Sequence, residues 1–235
     1  VPLRSPTSRP TTSRQLARYI HRITTTYLPH VEPKMIYRLD RFGRGGHHRP
    51  FNDAGFPGVR IMEAYENYTR QHQDLRTENG IAYGDVLSGV NFDYAARLTG
   101  VNAAVLAALA WAPPPPERVR IRGAVSPHTT LSWQAPASGP APAGYRLYWR
   151  DTTAPQWTHS LWVGNVTEYT LRNTIIDNWL FGVASDEADG HASEVVFPGR
   201  SEVRASRPSR PARPARPSTD PPPTKKGSQM APLSR

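Results

Sequence analysis

The chain has 235 residues, a formal net charge of +10, 25 prolines and no cysteine. The absence of cysteine excludes a disulfide scaffold, a cysteine-ligated zinc finger and a thiol nucleophile. The longest candidate for a membrane span, the Ala-rich stretch 101–112, is shorter than the roughly 20 residues that a span needs, so we expect a soluble chain without membrane contact.

The positive charge is concentrated at the two ends of the sequence. Residues 1–18 contain four arginines and no acidic residue, and residues 201–235 contain eight basic and two acidic residues, so residues 19–200 are neutral. Nucleic-acid-binding domains usually carry a basic stripe on their folded surface, so we predict no nucleic-acid partner. Residues 1–13 and the Pro- and Arg-rich tail 201–235 are predicted to be disordered.

Residues 14–112 combine apolar periodicity with loops. The spacing of apolar residues predicts a helix from Leu16 to Tyr27, with Ser13 as its N-cap. Lys34–Arg41 and Gly58–Ala64 have the composition of strands, the second of the kind that is buried in an α/β sheet. A further helix is predicted after Asn91, and we expect its apolar residues to share one side; they are Tyr94, Leu98, Val101, Val105, Leu106 and Leu109.

The second half of the chain has a different pattern. The four prolines 113–116 predict an extended, stiff linker. Between residues 117 and 200, seven short candidate strands are separated by Pro, Gly, Asn and Asp, as in a β-sandwich. These strands are 118–122, 129–134, 144–150, 160–163, 168–171, 179–185 and 193–197. The side chains expected in the sandwich core are Trp133, Tyr145, Leu147, Trp149, Leu171, Phe181 and Val183.

Three histidines are candidates for chemistry. His47 and His48 lie in a Gly-rich loop, and His72 lies in a polar segment that also contains acidic residues. A neutral imidazole is a good zinc ligand, and a nearby carboxylate can orient the ring. No helical metal-binding motif is present, however, so a solvated loop histidine remains an alternative for His72. The other five histidines are predicted to be structural.

Three motifs of the first half, in this order, carry a family resemblance: Tyr37–Asn52, Ala54–Arg60 and Glu66–Asp74. With the Ala-rich helix that follows Asn91, residues 14–112 resemble the C-terminal part of a di-zinc aminopeptidase of metallopeptidase clan MH, family twenty-eight. The resemblance implies an α/β fold, namely the C-terminal portion of a zinc-exopeptidase α/β/α domain. It also implies two zinc ions that activate a water molecule and act on peptide substrates.

The resemblance also implies roles for individual residues. His72 matches the last metal ligand, Asp74 is a partner that could orient it, and His48 matches the histidine of a loop near the active site, where His47 replaces an aspartate. The other family ligands and the general base have no counterpart in residues 1–36, and a zinc site needs at least three protein ligands. We therefore expect a C-terminal portion that is inactive alone and lacks the general base.

Residues 117–200 resemble a fibronectin type III module, an all-β sandwich. Such modules are spacers or contact proteins and carbohydrates, and one attached to a peptidase implies a secreted or periplasmic protein. The alternative function is a non-catalytic binding or spacer protein that is built on this sandwich.

Overall fold

A computed structural model describes residues 12–36 and 45–199. The predicted disordered segments 1–13 and 201–235 lie almost entirely outside these ranges, as does most of the predicted strand Lys34–Arg41. All described residues belong to one compact unit. Within these ranges, no helix combines the length and the apolar character that are needed to span a bilayer.

The first half of the described chain is mainly helical. Its elements are helix α1 (Thr12–Tyr27), the short helix α2 (His48–Asp53), the hairpin strands β1 (Arg76–Glu78) and β2 (Ile81–Tyr83), and helix α3 (Phe92–Trp111). α3 begins where Asn91 caps it, since the Asn91 side chain accepts a hydrogen bond from the Tyr94 amide at 2.9 Å. An asparagine at this position satisfies one of the amides that the first turn leaves unpaired.

Helices α1 and α3 pack against each other around a small apolar core. Tyr19 and Ile23 of α1 meet Val101, Val105 and Ala108 of α3. The prediction for α1 is confirmed, except that Ser13 lies inside the helix rather than at its N-cap. On α3, Val101 and Val105 are buried as predicted. Leu106 and Leu109 are exposed, so the prediction that all six apolar residues share the packed side is wrong.

The α/β sheet that was expected in residues 14–112 is not formed among the described residues. Gly58–Ala64 forms no strand there, and the only pairing in this half of the described chain is the antiparallel hairpin of β1 and β2. The prediction of a strand at Gly58–Ala64 is therefore wrong. Strand propensity reflects how side chains fit a half-buried surface, and Ile61 finds such a surface against the α1–α3 core.

The second half is a β-sandwich, as predicted. Its strands are β3 (Glu117–Arg122), β4 (Thr129–Gln134), β5 (Gly144–Asp151), β6 (His159–Gly164), β7 (Glu168–Leu171) and β8 (Trp179–Asp186). They form two three-stranded sheets in the orders β3-β4-β7 and β6-β5-β8, with all neighbours antiparallel. The seventh predicted strand, 193–197, is present only as an isolated bridge of Val196 to Val183, beside a second bridge of Ala192 to Asp186.

The core of the sandwich lies between the two sheets. Leu131 and Trp133 of one sheet pack against Tyr145, Leu147 and Phe181 of the other. Six of the seven predicted core residues are buried, and Trp149 packs against them from a partly buried position. Alternation along each strand therefore identified this core correctly.

Candidate metal centre

The loop that carries His47 and His48 is fastened to helix α1. The Ser13 hydroxyl donates to Asn52 Oδ1 at 3.1 Å and accepts a hydrogen bond from the Gly58 amide at 3.2 Å. The Asn52 amide group in turn donates to the Gly58 carbonyl at 3.3 Å. These bonds join the end of α2 and the segment after it to the first turn of α1, so the loop has a fixed base.

The two histidines of this loop have different surroundings. His47 is exposed and precedes α2 with helical backbone angles, and its side chain makes no capping hydrogen bond. His48 is half-buried, and its ring lies beside Gly46, where an added Cβ would come within 3.0 Å of His48 Nδ1. The small residue at position 46 therefore lets the His48 ring lie close to the backbone of its own loop.

A second motif segment reaches the same loop. The side chain of Arg60 also borders Gly46, and its Nη2 lies 3.4 Å from Glu66 Oε1 in a largely buried ion pair. Glu66 begins the Glu66–Asp74 motif. The structure therefore brings the His48 loop, Arg60 and the start of the third motif together.

His72 lies in a turn whose backbone is held on both sides. The Thr69 carbonyl accepts from the Gly84 amide at 2.9 Å, and the Gln73 carbonyl accepts from the Asp85 amide at 3.1 Å. His72 itself has φ of 54°, in the left-handed region that non-glycine residues seldom adopt. It is exposed, and so is Asp74. The turn thus presents the imidazole at the surface in a conformation that its neighbours impose.

The described residues do not form a complete metal site. Nowhere in residues 12–36 and 45–199 do three or more His, Cys, Asp or Glu side chains come close enough to hold a metal ion. A protein zinc site needs at least three such ligands, so the donors present here do not fit a zinc ion by themselves. The exposed ring of His72 lends no support to a ligand role, and the roles of His72, Asp74, His48 and His47 stay predictions.

A cleft that the sequence did not indicate lies where α1 meets the sandwich. It has a volume of about 230 Å³ and is lined by Arg18 and Arg22 of α1, by Tyr148 of β5 and by Trp157, among others. None of the four predicted site residues lines it. Arg22 Nη1 donates to the Tyr148 hydroxyl at 2.8 Å. Since 126 residues separate these partners, no local sequence signal could have paired them.

Comparison with known proteins identifies homologues of this chain. A protein of Leptosphaeria maculans named probable zinc metalloprotease is 44% identical over 187 residues, which are 79% of this chain and 43% of that protein. A protein of Pyrenophora tritici-repentis with the same name is 40% identical over 189 residues, again 79% of this chain and 43% of that protein. The chain thus spans less than half the length of these curated relatives.

No family model matches the chain. Among solved structures, the fn3 domain of the human collagen alpha-1(XX) chain is 20% identical, covers 47% of this chain and 95% of that domain, and has a TM-score of 0.31.

Proposed function

We propose that this chain is part of a zinc-dependent protease with aminopeptidase-like specificity, and that His72 is one ligand of its zinc site. The observation that carries the proposal is the identity of about 40% to fungal proteins named probable zinc metalloprotease, which extends over 79% of this chain. We further propose that the site holds two zinc ions and that the substrates are peptides with a free N-terminus. The resemblance of the three motifs to di-zinc aminopeptidases supports both points.

The contribution of this chain is to position side chains. The turn around His72 fixes its backbone through the two hydrogen bonds to the hairpin. The Ser13, Asn52 and Gly58 bonds fix the loop of His48. A ligand held in this way loses little conformational entropy when it binds, which favours affinity. Zinc, when bound, would supply an activated water molecule and polarise a carbonyl group.

The remaining donors and the general base lie outside the described residues in this proposal. The isolated chain is therefore expected to bind zinc weakly and to be inactive. The β-sandwich is proposed to be a fibronectin type III-like module that contacts proteins or carbohydrates, and the protein is proposed to be secreted.

Two proteins test the proposed activity. One is the isolated chain. The other is a chimera in which this chain replaces the matching segment of the Leptosphaeria maculans relative. We expect the chimera to hydrolyse aminoacyl-nitroanilides until a chelator is added, whereas the isolated chain hydrolyses none.

Each protein can contradict a different part of the proposal. A folded chimera without chelator-sensitive turnover, beside an active parent relative, would contradict the protease function. Robust chelator-sensitive turnover by the isolated chain would contradict the statement that it lacks essential groups.

A further inference from the structure

Helix α3 is uncharged and mostly apolar over most of its length. From Leu98 to Trp111 its sequence is LTGVNAAVLAALAW, and no charged residue occurs in these fourteen positions. A helix at a protein surface usually carries charged and polar residues on the side that faces water, whereas a helix that is apolar all round is buried. The composition of α3 therefore predicts that both of its sides are covered by protein.

Among the described residues, only one side of α3 is covered. Val101, Val105 and Ala108 pack on α1. The opposite side, which we call the outer face of α3, is exposed, and its members follow helical spacing. They are Phe92, Ala95, Thr99, Ala103, Leu106 and Ala110. Phe92 is 62% exposed and Leu106 is 68% exposed, so the described residues leave most of two large apolar side chains on this face uncovered.

Exposed apolar side chains are more frequent in the half of the chain that contains α3. Among the described residues, fourteen large apolar side chains are exposed up to residue 112, against five between residues 117 and 199. The two stretches have similar lengths, so the difference reflects packing. The sandwich buries most of its large apolar side chains in its own core, whereas the helical half presents apolar surface of the kind that marks an interaction site.

We propose that the outer face of α3 is the docking surface for the polypeptide that the curated relatives have in addition to the segment matched by this chain. The inference rests on the proposed function. The matched segment is only 38–43% of the length of the first six relatives, so the additional polypeptide is large enough to cover a helix. It is also where the proposed function places the donors that the described residues lack. One surface thus accounts for the uncovered helix and for the incomplete donor set.

The test is association between two separate polypeptides. The full 235-residue chain is co-expressed with a tagged polypeptide that comprises the part of the Leptosphaeria maculans relative outside the match. We expect a one-to-one complex, with slower amide hydrogen exchange along α3 than in the free chain. The free energy gained by burying a leucine side chain corresponds to a change in affinity of about tenfold or more. Leu106→Lys should therefore weaken the complex by about tenfold or more. The matched control is Val166→Lys, at an exposed residue of the sandwich, and it should leave the affinity unchanged.

Several results would overturn this proposal. They are the absence of a complex, equal affinity of the two variants, or self-association of the chain through α3 without uptake of the added polypeptide. The last result would show that a second copy covers the face. If the added polypeptide folds poorly, the chimera supplies a second readout: Leu106→Lys should lower its melting temperature and Val166→Lys should not, and equal melting temperatures would contradict the docking surface.

The same experiments separate this inference from the proposed function. A complex that depends on Leu106 but gains neither zinc nor activity would retain the docking surface and reject the zinc protease. An active chimera whose melting temperature does not change with Leu106→Lys would support the zinc protease and reject the docking surface.

Discussion

Individual residues of the α1–sandwich junction have acid–base properties that the fold imposes. Glu194 lies near Tyr19, and burial raises the pKa of its carboxyl group above the ordinary value of 4.5. The folded state therefore favours the protonated acid more than the unfolded state does. The stability linked to this preference is fully present below the ordinary pKa and is lost as the pH rises through the raised pKa.

This shift predicts a pH-dependent effect of one substitution. Glu194→Gln keeps the shape of the side chain and removes the buried charge, so the variant should be more stable than the parent at pH 7. The difference should disappear below pH 4.5, where both forms are uncharged. Urea unfolding at the two pH values measures it, with Glu63→Gln, at an exposed position, as the control. Equal stabilities of parent and Glu194→Gln at pH 7 would contradict the buried-charge explanation.

At the scale of the elements, local patterns predicted the sandwich strands and the two long helices, but neither the backbone of Gly58–Ala64 nor the packed side of α3. The bounds of β4 and β7 agree with the predicted ones, because alternating side chains and turn residues at each end are local signals. Gly58–Ala64 has a strand-like composition but pairs with no strand among the described residues, since pairing depends on a partner that propensity does not specify. The prediction that Leu106 and Leu109 are packed was wrong for a related reason. Periodicity cannot decide which side of a mostly apolar helix packs against a given neighbour.

The candidate site shows the same division between local and long-range information. The sequence motifs indicated His48 and His72. The order of the three motifs along the chain was sufficient for the resemblance to a di-zinc aminopeptidase. The Ser13 bonds to Asn52 and Gly58 were not predictable, because they join residues about 40 positions apart. The position of Ser13 beside the apolar periodicity suggests instead the local role of a helix cap.

Helix α1 contacts strand β5 through the side chains of Arg22 and Tyr148. The Arg22–Tyr148 hydrogen bond is partly buried, and the Arg22 guanidinium also lies 5.9 Å from the Tyr148 ring centroid. Tyr148→Phe keeps the ring and removes the acceptor of a charged donor, so it should destabilise the protein by about 1–2 kcal/mol. Tyr27→Phe, at an exposed residue of the same helix, should have almost no effect. Equal unfolding midpoints for the two variants would show that this hydrogen bond contributes nothing to the junction.

At the scale of the whole molecule, a sandwich with its own apolar core is joined to a helical half that exposes apolar surface. The four prolines between them do not form a free spacer, because Pro113 and Pro116 are buried. The aromatic ring of Trp111, at the end of α3, lies 5.4 Å from that of His191 in the sandwich. The sandwich is thus packed against the half that carries the candidate metal ligand.

The zinc content of the chimera tests the central claim most directly. Elemental analysis by mass spectrometry should find two zinc ions per chain in the parent chimera. His30→Ala, at an exposed histidine that was predicted to be structural, should retain both ions, whereas His72→Ala should lose about one of them and all activity. An unchanged zinc content in a folded His72→Ala chimera would contradict the assignment of this histidine as a zinc ligand.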